Sequence, residues 1–202
     1  MKILLIGNSS IDTTKKVGET INNFDLVFRM NRFELNGFEE YLGNKTDVWI
    51  LNRAISLGIS NVHYKSLSKK FEERKVISQS LDKILMMTYF RNEADYIDIK
   101  QRTQSFSDFE VGDTRQVSEY LKKEWDKRMD KKFYKPGTGI IAIHYLLEKY
   151  GNITIHNFDC GETKHYWGDK DLASEPMSSK HDWSFDKILI SELVTSERVS
   201  YL

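Results

Sequence analysis

A single cysteine, Cys160, is present in the whole chain, so no internal disulfide can form. This scarcity favours a reducing compartment, and we expect a cytoplasmic protein. The 30 basic and 30 acidic residues cancel, which leaves no net field to recruit nucleic acid or an anionic membrane. No stretch approaches the roughly 18 consecutive apolar residues of a spanning helix. Met1 and Lys2 lead directly into an apolar run, so we expect neither a cleavable leader nor a membrane anchor.

Two common nucleotide-binding fingerprints are also missing. The apolar run 3–6 is followed by Gly7, Asn8 and Ser9, but not by the Gly-x-Gly-x-x-Gly dinucleotide pattern or a Gly-x-x-x-x-Gly-Lys phosphate loop. NAD and ATP therefore lose support as ligands. A glycine and small polar residues after a strand still leave room for a phosphate or ribose, although the same residues are typical of a plain turn.

The order of apolar runs predicts one α/β domain over residues 1–202, with a Rossmann-like, mainly parallel sheet and helices on both faces. Predicted strands cover residues 3–6, 25–31, 46–51 and 152–158, and predicted helices cover 13–21, 114–129 and 138–150, with a last helix capped by Ser184. Residues 83–90 fit either a strand or a buried helical turn. We expect a loop with short helices over 52–80 and a loop or mobile lid over 93–113.

Polar residues at two predicted strand ends and one helix start indicate a ligand site. Asn8 and Asn31 follow adjacent strands and would lie on one rim, where an amide can donate and accept hydrogen bonds. Gly137, Thr138 and Gly139 open the helix 138–150, and a helix start directs backbone N–H groups at an anion. A simple helix cap would explain the threonine equally well, but not both glycines.

Four segments, in order along the chain, resemble the motifs of the eukaryotic-type sialyltransferases. Residues 6–10, 25–31, 37–39 and 43–46 resemble their large sialyl motif, 135–159 the small motif, 165–167 the third motif and 181–186 the very small motif. The segments cover about half of the chain. Two positions depart from the pattern: Gly137 stands where a serine is usual, and Asp186 where a glutamate is common. The motif cysteines of secreted members are also absent.

This resemblance implies a fold related to the GT-A glycosyltransferases and an inverting sialyltransferase that uses CMP-sialic acid. By analogy, Asn8, Ser9 and Asn31 would contact the ribose, phosphate or cytosine of CMP. Gly137, Thr138 and Gly139 would hold the nucleotide from the helix side. His165 would face the leaving phosphate, and His181 would be the catalytic base. Histidine suits that role because its ordinary pKa lies near neutral pH.

The resemblance implies no cofactor and no metal. Asp169-Lys170-Asp171 imitates an Asp-x-Asp metal motif, but it follows the third motif, and we interpret it as a solvated loop. We expect a glycan, lipooligosaccharide or capsule-type acceptor and at most peripheral contact with the inner membrane. Two alternatives stay open: a transferase that uses CMP-Kdo or another CMP-linked 2-keto sugar acid, and a nucleotide-binding protein without catalysis.

Overall fold

The computed structural model describes residues 1–31, 33–52, 72–73, 78, 80–90, 92–103, 109–129, 136–163, 165–166 and 183–202. Within these ranges the chain forms seven strands and six helices of four residues or more. The strands are β1 (Ile3–Ile6), β2 (Leu26–Met30), β3 (Val48–Leu51), β4 (Lys83–Met86), β5 (Phe109–Val111), β6 (Ile153–His156) and β7 (Val199–Tyr201). The helices are α1 (Gly18–Asn22), α2 (Glu39–Leu42), α3 (Glu93–Thr103), α4 (Arg115–Arg128), α5 (Thr138–Tyr150) and α6 (Trp183–Thr195).

The seven strands form one parallel sheet in the order β5-β4-β3-β2-β1-β6-β7. Strands β1 and β3 consist entirely of buried apolar residues, as expected when helices cover both faces of a parallel sheet. The predicted α/β fold is therefore confirmed. After β1 the chain proceeds to one edge of the sheet and later returns with β6 on the other side of β1. Open α/β sheets bind ligands outside the carboxyl ends of their strands at such a reversal.

Alternate residues of β1 show how the two faces are covered. Leu5 belongs to the largest apolar cluster, which includes the buried faces of α4, α5 and α6. Leu4 points the other way and packs in a cluster with Ile21 of α1 and Leu42 of α2. None of the helices in the described ranges is both long and apolar enough to cross a membrane.

The prediction for residues 93–113 is wrong, because this segment contains α3 and β5 instead of a loop or lid. Ile99 of α3 is fully buried in a small cluster with Met86 and Phe90. Most other α3 side chains are polar, so the helix has only a narrow apolar face and little periodicity. Strand β5 has three residues and lies at the sheet edge, where burial is partial and the apolar signal is weak.

Two predicted helix starts also differ from the structure. The helix expected from residue 13 begins at Gly18, because Asp12 Oδ1 instead closes a turn by accepting from the backbone N–H of Thr14 at 3.0 Å. The last helix begins at Trp183, so Ser184 lies in its first turn. Residues 83–86 are a strand, which decides between the two alternatives for that segment. Most of the segment 52–80 lies outside the described residues.

His144 of α5 is a buried histidine away from the strand ends. Its side chain lies beside the ring of Tyr120, and its Nε2 atom has no hydrogen-bond partner among the described residues. Burial is the main reason that the pKa of His144 is lowered to about 4, and the positive charge of Arg198 lowers it further. The folded protein therefore binds a proton at this site less readily than the unfolded chain, whose histidines titrate near 6.5.

This difference predicts a loss of stability in acid. Because the unfolded state takes up the proton first, the free energy of unfolding should fall as the pH drops through 6.5 towards about 4. From pH 7 to pH 5 the contribution of His144 is roughly 2 kcal/mol. His144→Leu should remove this part of the decrease, measured by urea unfolding at both pH values. An equal decrease in the variant and the wild type would contradict the assignment.

Candidate functional site

A cavity of about 310 Å³ opens at the carboxyl ends of β1 and β6, where the strand order reverses. Its walls come from the residues that follow the central strands, from the first turn of α5 and from α6. The volume is at the lower end of the range typical of small-ligand sites. The fold therefore places this cavity where a parallel sheet is expected to bind a ligand.

Asparagines form a continuous rim on the sheet side of the cavity. Four strands adjacent in the sheet, β3, β2, β1 and β6, are each followed within two residues by an asparagine that lines the cavity: Asn52, Asn31, Asn8 and Asn157. The Nδ2 atom of Asn8 donates to the carbonyl oxygen of Met30 at 2.9 Å. Its Oδ1 atom is buried and accepts no hydrogen bond from the described part of the chain. Asn8 thus lines the cavity and has an acceptor without a partner in the described part of the chain.

Asn31 is held by hydrogen bonds in a conformation that few non-glycine residues adopt. Its φ angle is +50°, in the left-handed region, which asparagine tolerates better than most residues. Its Oδ1 atom accepts from the backbone N–H of Asn52 at 3.1 Å, and its carbonyl oxygen accepts from the indole of Trp49. Because the side-chain oxygen holds Asn52, the amide nitrogen is the group with which Asn31 can donate to a ligand.

The start of α5 forms the opposite wall. Thr138 and Gly139 line the cavity, and the first backbone N–H groups of a helix lack acceptors within the helix. A Cβ atom on Gly139 would lie 2.9 Å from the ring of Phe158, so glycine lets the helix approach that ring. This wall can therefore offer backbone donors and a positive dipole end to an anion.

Gly137, behind this wall, contacts Asp186, which lines the cavity. The carboxylate of Asp186 is 3% exposed, and its Oδ2 atom accepts from the backbone N–H of Gly137 at 3.3 Å. A Cβ atom on Gly137 would lie 2.8 Å from the same oxygen and 3.3 Å from the indole of Trp183. The absence of a side chain at residue 137 thus permits the contact with Asp186 and the close packing of Trp183.

The segment with His165 is attached directly to the loop after β1. His165 Nδ1 lies 3.0 Å from the carbonyl oxygen of Asn8, which also accepts from the backbone N–H of Tyr166 at 3.3 Å. The hydroxyl of Tyr166 donates to the carbonyl of Glu34 and accepts from its N–H, and its ring packs edge-on against Phe38. A carbonyl can only accept, so Nδ1 carries the proton in this contact. Nε2 is then the ring nitrogen suited to act on a ligand.

Cys160 also lines the cavity, but its thiol is not expected to be reactive near neutral pH. Burial raises the pKa of its thiol to about 12, with a further contribution from the negative charge of Asp186. Since the thiolate is the reactive form, Cys160 is not expected to act as a nucleophile.

The structure brings five of the eight predicted site residues to one cavity: Asn8, Asn31, Thr138, Gly139 and His165. Ser9 instead lines a separate cavity of about 190 Å³, although its backbone N–H donates to the carbonyl of Asn157. Gly137 lies behind the wall, as described above. His181 lies outside the described residues, as does the Asp169-Lys170-Asp171 stretch. The roles of all eight residues remain predictions.

Several cavity residues were missed by the sequence reasoning, among them Asn52, Asn157 and Trp183. The signal for Asn52 was present, since it directly follows the apolar run 48–51. Asn157 was hidden because the predicted strand extended to residue 158, whereas β6 ends at His156. Trp183 carried no such signal, because its place depends on the glycines that it packs against.

Sequence comparison gives one family whose model matches residues 4–198, glycosyltransferase family 29 (sialyltransferase). A CMP-N-acetylneuraminate-beta-galactosamide-alpha-2,3-sialyltransferase 1 of Gallus gallus is 20% identical over 204 residues, covering 98% of this chain and 56% of the relative. A lactosylceramide alpha-2,3-sialyltransferase of Rattus norvegicus is 36% identical over 47 residues, covering 23% of this chain and 12% of the relative. The chain thus spans little more than half of the avian relative and a small part of the rat one.

Solved structures with the same fold include sialyltransferases. CstII from Campylobacter jejuni, in complex with cytidine-5'-monophosphate, superimposes with a TM-score of 0.63 at 17% identity, covering 100% of this chain and 80% of that one. A mammalian sialyltransferase in complex with Gal-beta-1-3GalNAc-ortho-nitrophenol gives a TM-score of 0.61 at 16% identity, covering 100% of this chain and 68% of that one. At these identities the likeness establishes the fold.

Proposed function

Because the chain belongs to glycosyltransferase family 29, the sialyltransferases, we propose that it transfers sialic acid from CMP-sialic acid to a hydroxyl group of a glycan. One observation carries the proposal: segments far apart in sequence meet at one cavity. His165 contacts the carbonyl of Asn8, 157 residues away, and the start of α5 forms the facing wall. These are the segments that resemble the third, large and small sialyl motifs.

The cavity chemistry suits CMP. The buried Oδ1 of Asn8 needs a hydrogen-bond donor, which a ribose hydroxyl or the amino group of cytosine supplies. The N–H groups at the start of α5 favour the phosphate. A related fold has been solved with CMP bound, which supports the same nucleotide here.

We propose an inverting displacement without a metal ion. The acceptor oxygen forms a bond to the anomeric carbon of sialic acid as the bond from that carbon to the phosphate oxygen breaks. His181 takes the proton of the acceptor hydroxyl, which requires a base that is neutral near pH 7. CMP leaves with the electron pair, and its growing negative charge is stabilised by the start of α5 and by His165. For this role His165 must carry a proton on Nε2, which donates to the phosphate, as well as on Nδ1, which contacts the Asn8 carbonyl. A helix end and a protonated histidine supply this stabilisation without a metal ion.

The proposed acceptor is a glycan of the lipooligosaccharide or capsule type, and the proposed location is the cytoplasm. A chain with one cysteine cannot depend on an internal disulfide, which suits a reducing compartment. Helix α4 carries three lysines, and each pairs with an acid on the same helix: Lys122 with Asp126, Lys123 with Glu119 and Lys127 with Glu124. This pairing weakens any attraction to an anionic membrane.

A donor and acceptor screen tests the proposal. Purified protein should release CMP from CMP-sialic acid in the presence of a galactose-terminated glycan, and mass spectrometry should show the sialylated product. The reaction should persist in EDTA; strict dependence on added Mn²⁺ would instead assign a role to Asp169 and Asp171. If product forms only from CMP-Kdo, the donor is CMP-Kdo and not CMP-sialic acid. Binding of CMP without turnover of either donor would favour a nucleotide-binding protein.

A further inference from the structure

Asn157 is fixed in place at the point where β6 ends. Its φ angle is +56°, and its carbonyl oxygen accepts from the backbone N–H of Ser9 at 3.2 Å. A Cβ atom on Gly7 would collide with that carbonyl oxygen, so the loops after β1 and β6 are packed backbone against backbone. Left-handed backbone costs energy for any residue with a side chain. A glycine would avoid this cost, so backbone conformation alone does not explain why residue 157 has an asparagine side chain.

The side chain of Asn157 ends in a buried amide that the described chain does not satisfy. Its Nδ2 atom has no hydrogen-bond partner there, although Asn157 lines the cavity. Asn8 lines the same cavity with an unsatisfied Oδ1 atom. A buried polar atom without a partner costs roughly 1–3 kcal/mol, and such atoms are rare in native proteins. One unsatisfied donor and one unsatisfied acceptor therefore come from neighbouring strand ends.

We propose that Asn157 is a specificity residue of the donor site, and that it works with Asn8 to recognise the nucleoside part of CMP. The inference rests on the proposed function. Asn157 Nδ2 donates to the nucleoside, and Asn8 Oδ1 accepts from it. Two parts of CMP carry the matching chemistry. The cytosine edge has an amino donor beside the N3 acceptor, and the ribose has two hydroxyls that donate and accept.

Binding of three nucleotides to two variants tests the inference. Asn157→Asp keeps the shape but replaces the donor by an acceptor, and Asn157→Gly removes the amide and accepts the positive φ without strain. Calorimetric titration with CMP should give at least tenfold weaker binding for Asn157→Gly, and also for Asn157→Asp if the partner is the cytosine edge, because a carboxylate can still accept from a ribose hydroxyl. Glu197→Gly is the matched control, because Glu197 also has a positive φ, of +57°, in the turn before β7 and does not line the cavity. It should bind CMP as the wild type does.

UMP and 2'-deoxy-CMP distinguish the two parts of the nucleoside. If Asn157 recognises cytosine, the wild type prefers CMP to UMP, whose edge has the reverse pattern, and Asn157→Asp loses that preference. If it recognises the ribose, the wild type binds 2'-deoxy-CMP more weakly than CMP, and Asn157→Gly, which has no side chain to contact the hydroxyl, binds both alike. Either result supports the inference.

CMP affinity within twofold of the wild type in both folded variants would overturn the inference, even if the wild type transfers sialic acid. A wild type that binds no CMP would overturn the proposed function as well. Circular dichroism and the thermal midpoint establish that each variant is folded. Since Asn157→Gly relieves backbone strain, it should fold even if Asn157→Asp does not.

Discussion

Replacing His181 by alanine should abolish sialyl transfer while CMP still binds within a few-fold of the wild-type affinity. The acceptor hydroxyl cannot attack efficiently without a base to take its proton, and such a base is typically worth about 10²–10⁴ in rate. In the proposed mechanism the asparagine rim and the start of α5 bind the nucleotide, so its affinity should not depend on His181. CMP release is measured with donor and acceptor present, and the CMP dissociation constant by calorimetric titration.

The control for this variant is His63→Ala, since no motif includes His63. It should retain the wild-type rate, which would show that loss of an arbitrary histidine is harmless. Full activity in His181→Ala would remove the proposed base. A loss of CMP binding as large as the loss of rate would move His181 from proton transfer to nucleotide binding.

The centre of the sheet could be predicted from the sequence because β1 and β3 are uninterrupted apolar runs. Residues 3–6 were predicted as a strand and form β1 with the same bounds. Burial on both faces produces such runs, so the signal is strongest where the sheet is central. It failed at the periphery: β5 lies at one edge and β7 at the other, and each has only three residues. Helix α3 was also missed, because its narrow apolar face gives little periodicity in the sequence.

The location of the site could be predicted, but the contacts within it could not. Polar residues at the ends of adjacent parallel strands must share an edge, so Asn8 and Asn31 were expected together. The contact of His165 with Asn8 joins residues 157 positions apart, and no local pattern specifies it. The two departures from the motif pattern, at Gly137 and Asp186, are explained only by the contact between these residues in the folded chain. Gly137 and Asp186 touch, and a side chain at residue 137 would press on the Asp186 carboxylate.

A buried arginine connects the strand that carries Asn31 to the chain around α2. Arg29 of β2 is 1% exposed and points towards the face covered by α1 and α2. Its guanidinium donates to the hydroxyl of Thr46 at 2.9 Å and to three carbonyl oxygens, those of Leu42, Gly43 and Lys45. It also lies 5.7 Å from the centre of the Phe33 ring. Arg29 thus provides hydrogen-bond donors for the carbonyl groups at the end of α2 and in the loop that leads into β3.

Arg29→Met should lower the free energy of unfolding by about 3–5 kcal/mol, because several buried acceptors lose a charged donor at once. Methionine fills much of the volume, so the loss reports the hydrogen bonds more than a cavity. The midpoint of urea unfolding should fall with an unchanged slope. Because a typical domain is stable by only about 5–15 kcal/mol, this loss would remove a large part of the free energy of unfolding.

Arg115→Met is the matched control for this prediction. Arg115 likewise has several partners, since it forms ion pairs with Glu93 at 2.9 Å and Asp113 at 2.6 Å. Its side chain, however, is 36% exposed. Exposed pairs are screened by water and contribute roughly 0–1 kcal/mol. We therefore expect a much smaller shift for Arg115→Met than for Arg29→Met. Similar shifts for the two variants would contradict the role of Arg29, because its buried acceptors lose their donor whereas the carboxylates beside Arg115 stay in contact with water.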